Sequence, residues 1–139
     1  MAARTKSRKR ALDIIFAADA RNADPVELMA ERAETGEQTP MGEYAEQIVR
    51  GVAARHRRID ALLAEHSQGW ELQRMPAVDL AILRIATWEL IYSDTPAAVV
   101  VDEAVELAKT LSTDNSPRFI NGVLGQLMTI TPTMRAAQT

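Results

Sequence analysis

The sequence predicts an all-α protein, and three observations carry that expectation. The chain is 47% hydrophobic but only 4% aromatic, so Ala, Leu, Val and Ile must fill the core, which suits packed helices better than an aromatic-rich β sandwich. Apolar residues recur at helical spacing through most of the chain. At two points, Asp24-Pro25 and Ser116-Pro117, a side-chain acceptor precedes a proline, the pairing that opens a helix. A chain of 139 residues has the length of one domain, and such a domain buries close to 70% of the surface its unfolded chain exposes. Residues 1–139 are therefore read as a single domain.

The first helix is expected to start between Arg4 and Ser7 and run to about Arg21, with Leu12, Ile15 and Phe16 at helical spacing. Asp24-Pro25 opens a short second helix through Val26, Leu28 and Met29. Thr35 to Gly42, with two Gly and one Pro, reads as a loop. Tyr44, Ile48, Val52, Ile59, Leu62 and Leu63 then give one long helix or two nearly continuous ones, with Gly51 as the weak point. Ser67 to Met75 is a second connection, closed by Pro76. In the apolar segment from Ala77 to Tyr92, Asp79, Arg84 and Glu89 are the only charges. At 100° per residue they lie about 140° apart in succession, so this helix has no single wet face and must be surrounded. Thr95-Pro96 restarts the chain into a helix with Val101, Val105, Ala108 and Leu111 on one side and Asp102, Glu103 and Glu106 on the other. The last helix opens at Asn115-Ser116-Pro117, with Ser116 expected to accept from exposed backbone N–H groups. Gly122 and Gly125 each cost that helix roughly 1 kcal/mol against Ala, which implies a close approach to the backbone there. Thr131-Pro132 is expected to end it, leaving 131–139 as a loose tail.

Charge is distributed unevenly. The formal total is −3, yet residues 1–10 hold Arg4, Lys6, Arg8, Lys9 and Arg10 and no acid, while the rest of the chain carries 11 basic against 19 acidic side chains. A basic arm on an acidic body points to one local polyanion-binding region, or to a solubilising tail. No apolar run reaches the roughly 18 residues of a membrane span, and the basic start leads into amphipathic sequence instead of a signal-peptide core. The chain has no cysteine, which excludes disulfides and thiolate metal sites. A cytoplasmic protein without membrane contact is expected.

Catalytic patterns are missing. There is no glycine-rich phosphate loop, dinucleotide fingerprint or HExxH motif. His56 and His66 have no third ligand in register, and Asp102, Glu103 and Glu106 have no apolar pocket to separate their titrations. No enzyme activity, metal or cofactor is expected. Binding chemistry remains: cations for phosphates, plus Phe16 and Phe119 as flat surfaces for unstacked bases. The start of the last helix, near Ser116 and Arg118, can offer N–H donors to a phosphate. Taken alone, both phenylalanines suit a core better than a stacking platform, since both lie on apolar faces.

Three segments resemble the family of the transcription antitermination factor NusB. They are the basic opening leading into Ala11-Leu12-Asp13-Ile14-Ile15-Phe16, the run from Ala81 to Leu90 (AILRIATWEL), and Val101 to Lys109 (VDEAVELAK) followed by Phe119 to Leu124 (FINGVL). The similarity extends from about Arg4 to Met128. It implies a NusB-like bundle of seven helices. It also implies binding to the single-stranded boxA element of ribosomal RNA leaders together with NusE, the ribosomal small-subunit protein, so that the elongation complex reads through terminators. Carried over by position, the RNA face is Arg4, Lys6, Arg8, Lys9, Arg10, Phe16, Asn115, Ser116, Arg118, Phe119 and Gly122. The NusE face is Met75, Val78, Asp79, Ile82 and Arg84. Asn115 stands where many relatives have an acid, removing a negative charge beside the RNA path. Phe16 replaces a frequent tyrosine and cannot donate a phenolic hydrogen bond. Some family members form homodimers that cover the RNA surface. Two alternatives are a bundle that binds only proteins and an accessory module of an RNA methyltransferase. The second needs a nucleophilic cysteine from another chain.

Overall fold

A computed structural model describes residues 2–36, 41–67 and 69–138. Among them are seven α-helices, α1 (Ala2–Arg21), α2 (Pro25–Thr35), α3 (Glu43–Ala54), α4 (His56–His66), α5 (Ala77–Tyr92), α6 (Ala97–Leu111) and α7 (Ser116–Ala136), with a 3-10 turn at Leu72–Arg74. The described residues contain no strand. The chain divides into two compact units, Met1–Arg55 and His56–Thr139. Part of the expected loop, residues 37–40, lies outside the described residues.

In the first unit α1 packs on α2 and α3, and α2 on α3. Its buried residues include Ala11, Leu12, Ile15 and Ala18 of α1, Leu28 and Met29 of α2, and Ile48, Val49 and Val52 of α3. The α2 start follows the sequence signal, since the Asp24 carboxylate accepts from the N–H groups of Val26 at 2.8 Å and Glu27 at 3.4 Å. Gly36 closes α2 with a φ of +70°, a left-handed conformation that glycine adopts without a Cβ penalty. The helix beyond Tyr44 breaks at Arg55 (φ −114°, ψ 15°) and not at Gly51. A lone glycine lowers helix propensity but does not by itself end a helix.

In the second unit α5 is the centre, and α4, α6 and α7 all pack on it. Twelve of its sixteen residues are buried, so the expectation of a surrounded helix holds. Each charge has a place in this setting. Arg84 clamps Asp60 of α4 with two parallel bonds, Nε to Oδ1 and Nη2 to Oδ2, both 2.9 Å. Glu89 is 1% exposed, and burial at that level requires polar partners.

The last helix departs from expectation. It does not stop at Pro132 but runs to Ala136. Proline removes one backbone donor inside a helix, a cost of roughly 3 kcal/mol, and long-range bonds offset it. The Arg135 guanidinium donates to the carbonyls of Leu90 at 2.7 Å, Glu89 at 3.0 Å and Thr95 at 2.6 Å. The Leu90 and Thr95 carbonyls lie at the end of α5 and in the turn after it, where a helix leaves acceptors unsatisfied, while the Glu89 carbonyl also accepts from Ser93. A cation there also suits the negative end of the helix. Hence 131–136 is anchored structure, not tail. Gly125 departs as well: a Cβ there would meet nothing within 4 Å, so no close approach explains that glycine.

Candidate nucleic-acid and partner interface

The five cations of residues 1–10 fall on one helix, and helical geometry sorts them. Arg8 lies four residues before Leu12 and seven before Ile15, so it continues the buried stripe and is 2% exposed. The expectation that Arg8 lies on an RNA face is therefore corrected: its position on the core stripe takes it out of solvent. Arg10 is half-buried and donates to the Met41 carbonyl at 3.4 Å. Arg4 lies over the Tyr44 ring, 4.3 Å from its centroid, a cation–π contact that holds the guanidinium at the surface. Lys6 and Lys9 are exposed, and neither makes an ion pair among the described residues. Phe16 is 38% exposed, so it is a surface ring and not a core one. It sits seven residues after Lys9, nearly in line along the helix and about 10 Å further on.

The second unit carries the rest of the candidate residues, and of these Met75, Asp79, Asn115, Ser116 and Phe119 line a cleft of about 220 Å³ together with Trp70, Pro76 and Thr113. Its floor is a hydroxyl cluster. Asp79, 2% exposed, accepts from Ser112 Oγ on one oxygen and from Ser116 Oγ on the other, the latter at 2.8 Å. Ser116 Oγ has thereby used its only proton, so Thr113 Oγ1, 2.7 Å away, donates to it. This ties the first turn of α5 to the end of α6 and the start of α7.

That arrangement changes three expectations. Ser116 does not cap its helix: it is the first residue of α7, is buried, and its hydroxyl serves Asp79. Asn115 stands at the cap position without a side-chain bond to the helix and is exposed, as is Arg118. On the expected partner face, Asp79 and Ile82 are 2% and 1% exposed and Met75 is 6%. All three are removed from the surface of the lone chain. Ile82 lies on the enclosed α5, while Asp79 is consumed by the serines. Val78 and Arg84 are half-buried, and the Arg84 charge is already matched by Asp60. Gly122 is half-buried on α7.

One residue was not singled out from sequence. Trp70 is 55% exposed and meets Phe119 edge to face, with centroids 6.0 Å apart and planes at 66°. Its backbone is tied to Ser67: the buried Ser67 hydroxyl donates to the Trp70 carbonyl at 2.6 Å, the Trp70 N–H returns a bond to the Ser67 carbonyl at 3.2 Å, and Gly69 takes a φ of +87°. A second depression of about 190 Å³, lined by Gly69, Trp70, Glu71 and Arg74, adjoins the same indole. The signal available in the sequence was a tryptophan in a connection beside glycine, off any helical stripe. Such a ring has no core to fill.

The model of the NusB family matches residues 5–129. The chain belongs to the NusB family. It is 54% identical to the transcription antitermination protein NusB of Beutenbergia cavernae, over 97% of this chain and 95% of that protein. Among solved structures, NusB of T. maritima superposes with a TM-score of 0.80 at 30% identity, over 91% of this chain and 90% of that one. A crystal structure of the antitermination factors NusB and NusE in complex with dsRNA matches with a TM-score of 0.80 at 26% identity, over 93% of this chain and 98% of the matched chain. No described helix is long and apolar enough to cross a membrane.

Proposed function

We propose that this chain is a transcription antitermination factor that binds RNA together with NusE and acts on the elongation complex as a binding protein, not an enzyme. The observation that carries this is family membership across residues 5–129, supported by the fold it shares with the NusB and NusE complex with RNA. The RNA element is taken to be boxA of ribosomal RNA leaders, held as an unpaired strand. In this reading the two units act as one NusB-like domain. Lys6, Lys9 and Arg4 of α1 supply charge for phosphates, while Phe16, Phe119 and Trp70 supply rings on which unstacked bases rest. Arg118 adds a cation near the start of α7. Asn115 contributes a neutral amide that does not repel a phosphate, as a carboxylate would, and whose N–H groups can donate to one.

The buried residues take a different role. Arg8, Met75, Asp79, Ser116 and Ile82 shape the surface from below, and NusE meets the part of α5 and its approach that stays accessible, at Val78 and the exposed Pro76 and Ala77 before it. The test is a titration of boxA-like RNA, single-stranded and as a duplex, with and without NusE. Tighter binding of the single strand when NusE is present is expected, and linkage requires that RNA tighten NusE binding by the same factor. Absence of RNA binding under both conditions, with NusE still bound, would instead establish a bundle that binds only proteins. The chain's mass measured alongside shows whether a homodimer competes with RNA.

A further inference from the structure

The geometry points to a second, sequence-independent RNA-backbone contact at the start of α4, formed by Arg57 and Arg58 beside His56. It rests on the RNA-binding reading above. All three side chains are exposed and occupy the first turn of α4, which contains no acid. That turn is the positive end of the helix, where cations are unfavourable and anions favourable. The next acid along the helix is Asp60, and it does not neutralise the cluster because both its oxygens are held by Arg84 at 2.9 Å. Arg58 Nη2 lies 3.7 Å from the Met134 sulfur, an uncharged neighbour that positions the guanidinium without cancelling its charge. Neither Arg57 nor Arg58 makes an ion pair among the described residues.

Exposed arginines without an ion-pair partner, in a turn where the α4 dipole disfavours them, contribute little to folding and leave their charge for a role outside it. A ligand of regularly spaced negative charge supplies one, and guanidinium groups suit phosphate through paired N–H donors. The cluster is separate from the cleft described above. Arg58 meets α7 at Met134 whereas the cleft is at Phe119, and fifteen helical residues span about 22 Å. A strand held at the first site along its whole length leaves no phosphates for the cluster, whereas a longer one with free flanking nucleotides does. The partner is thus flanking RNA, read through its phosphates.

The experiment is a salt titration of binding by the full chain with NusE, using one strand of roughly 12 nucleotides containing the boxA-like element and one of roughly 30. The parent is compared with Arg57→Ala/Arg58→Ala and with Arg57→Lys/Arg58→Lys. For the long strand the log–log salt slope of the alanine variant is expected to shrink by about 1.4, at about 0.7 per lost contact. The lysine variant keeps the slope, and the short strand binds all three proteins alike. Equal slopes for parent and alanine variant on the long strand overturn the inference while leaving the first RNA site intact. Loss of NusE binding by the alanine variant, with RNA slopes unchanged, overturns it in favour of an acidic protein surface. A parent that binds neither strand overturns the RNA-binding reading itself, and this contact with it.

Discussion

The start of α1 and the start of α5 treat charge in opposite ways. At α1, Lys6 and Lys9 stand in solvent. At α5, Asp79 is almost fully enclosed, with both oxygens bonded to serine hydroxyls. A charge inside an apolar setting survives only with its hydrogen bonds complete, so Asp79 belongs to the architecture. A charge at the surface without an ion-pair partner contributes little to folding, which leaves it available for a ligand. Arg8 shows that the rule follows position and not residue type, since it sits between Lys6 and Lys9 in sequence yet on the buried side of the same helix.

If that contrast is right, the largest effect on stability comes from the enclosed carboxylate. Asp79→Ala strands the hydroxyls of Ser112 and Ser116, and bonds to a charged group are worth roughly 1.5–3 kcal/mol each, so a loss of about 3 kcal/mol is expected in denaturant unfolding. Arg135→Ala follows: it takes a donor from the Leu90 and Thr95 carbonyls, while the Glu89 carbonyl keeps Ser93, and it removes the anchor beyond Pro132, with an expected loss of about 2 kcal/mol. Faster amide exchange confined to residues 132–136 and the end of α5 would locate that effect. The smallest is a gain, because Gly125→Ala adds a methyl into open space and should stabilise the protein by about 1 kcal/mol. A decrease in thermal midpoint for Gly125→Ala would mean that something occupies that space after all.

These same residues show what the sequence made readable. The bounds of α5 followed from Pro76 and the apolar run from Ala77 to Tyr92, its burial followed from three charges spaced so that no wet face forms, and the start of α2 followed from Asp24-Pro25. Both are local signals. Arg8 was misjudged because a basic run hides a core stripe that continues through it at helical spacing. Ser116 was misjudged because its hydroxyl had two possible acceptors, its own helix or a carboxylate 37 residues earlier, and only tertiary structure selects between them. The extension past Pro132 depends on bonds from Arg135 to carbonyls 40 to 46 residues away, which no window of sequence contains. Trp70 was readable in principle as a ring without a core, but its contact with Phe119, 49 residues on, was not.

The most direct test of the account is the salt dependence of binding to boxA-like RNA for Lys6→Ala/Lys9→Ala, with unfolding measured on the same samples. The account predicts weaker binding, a log–log slope smaller by about 1.4, and unchanged stability. Parental affinity and slope in that variant would contradict it, because the exposed cations of α1 would then not touch the RNA.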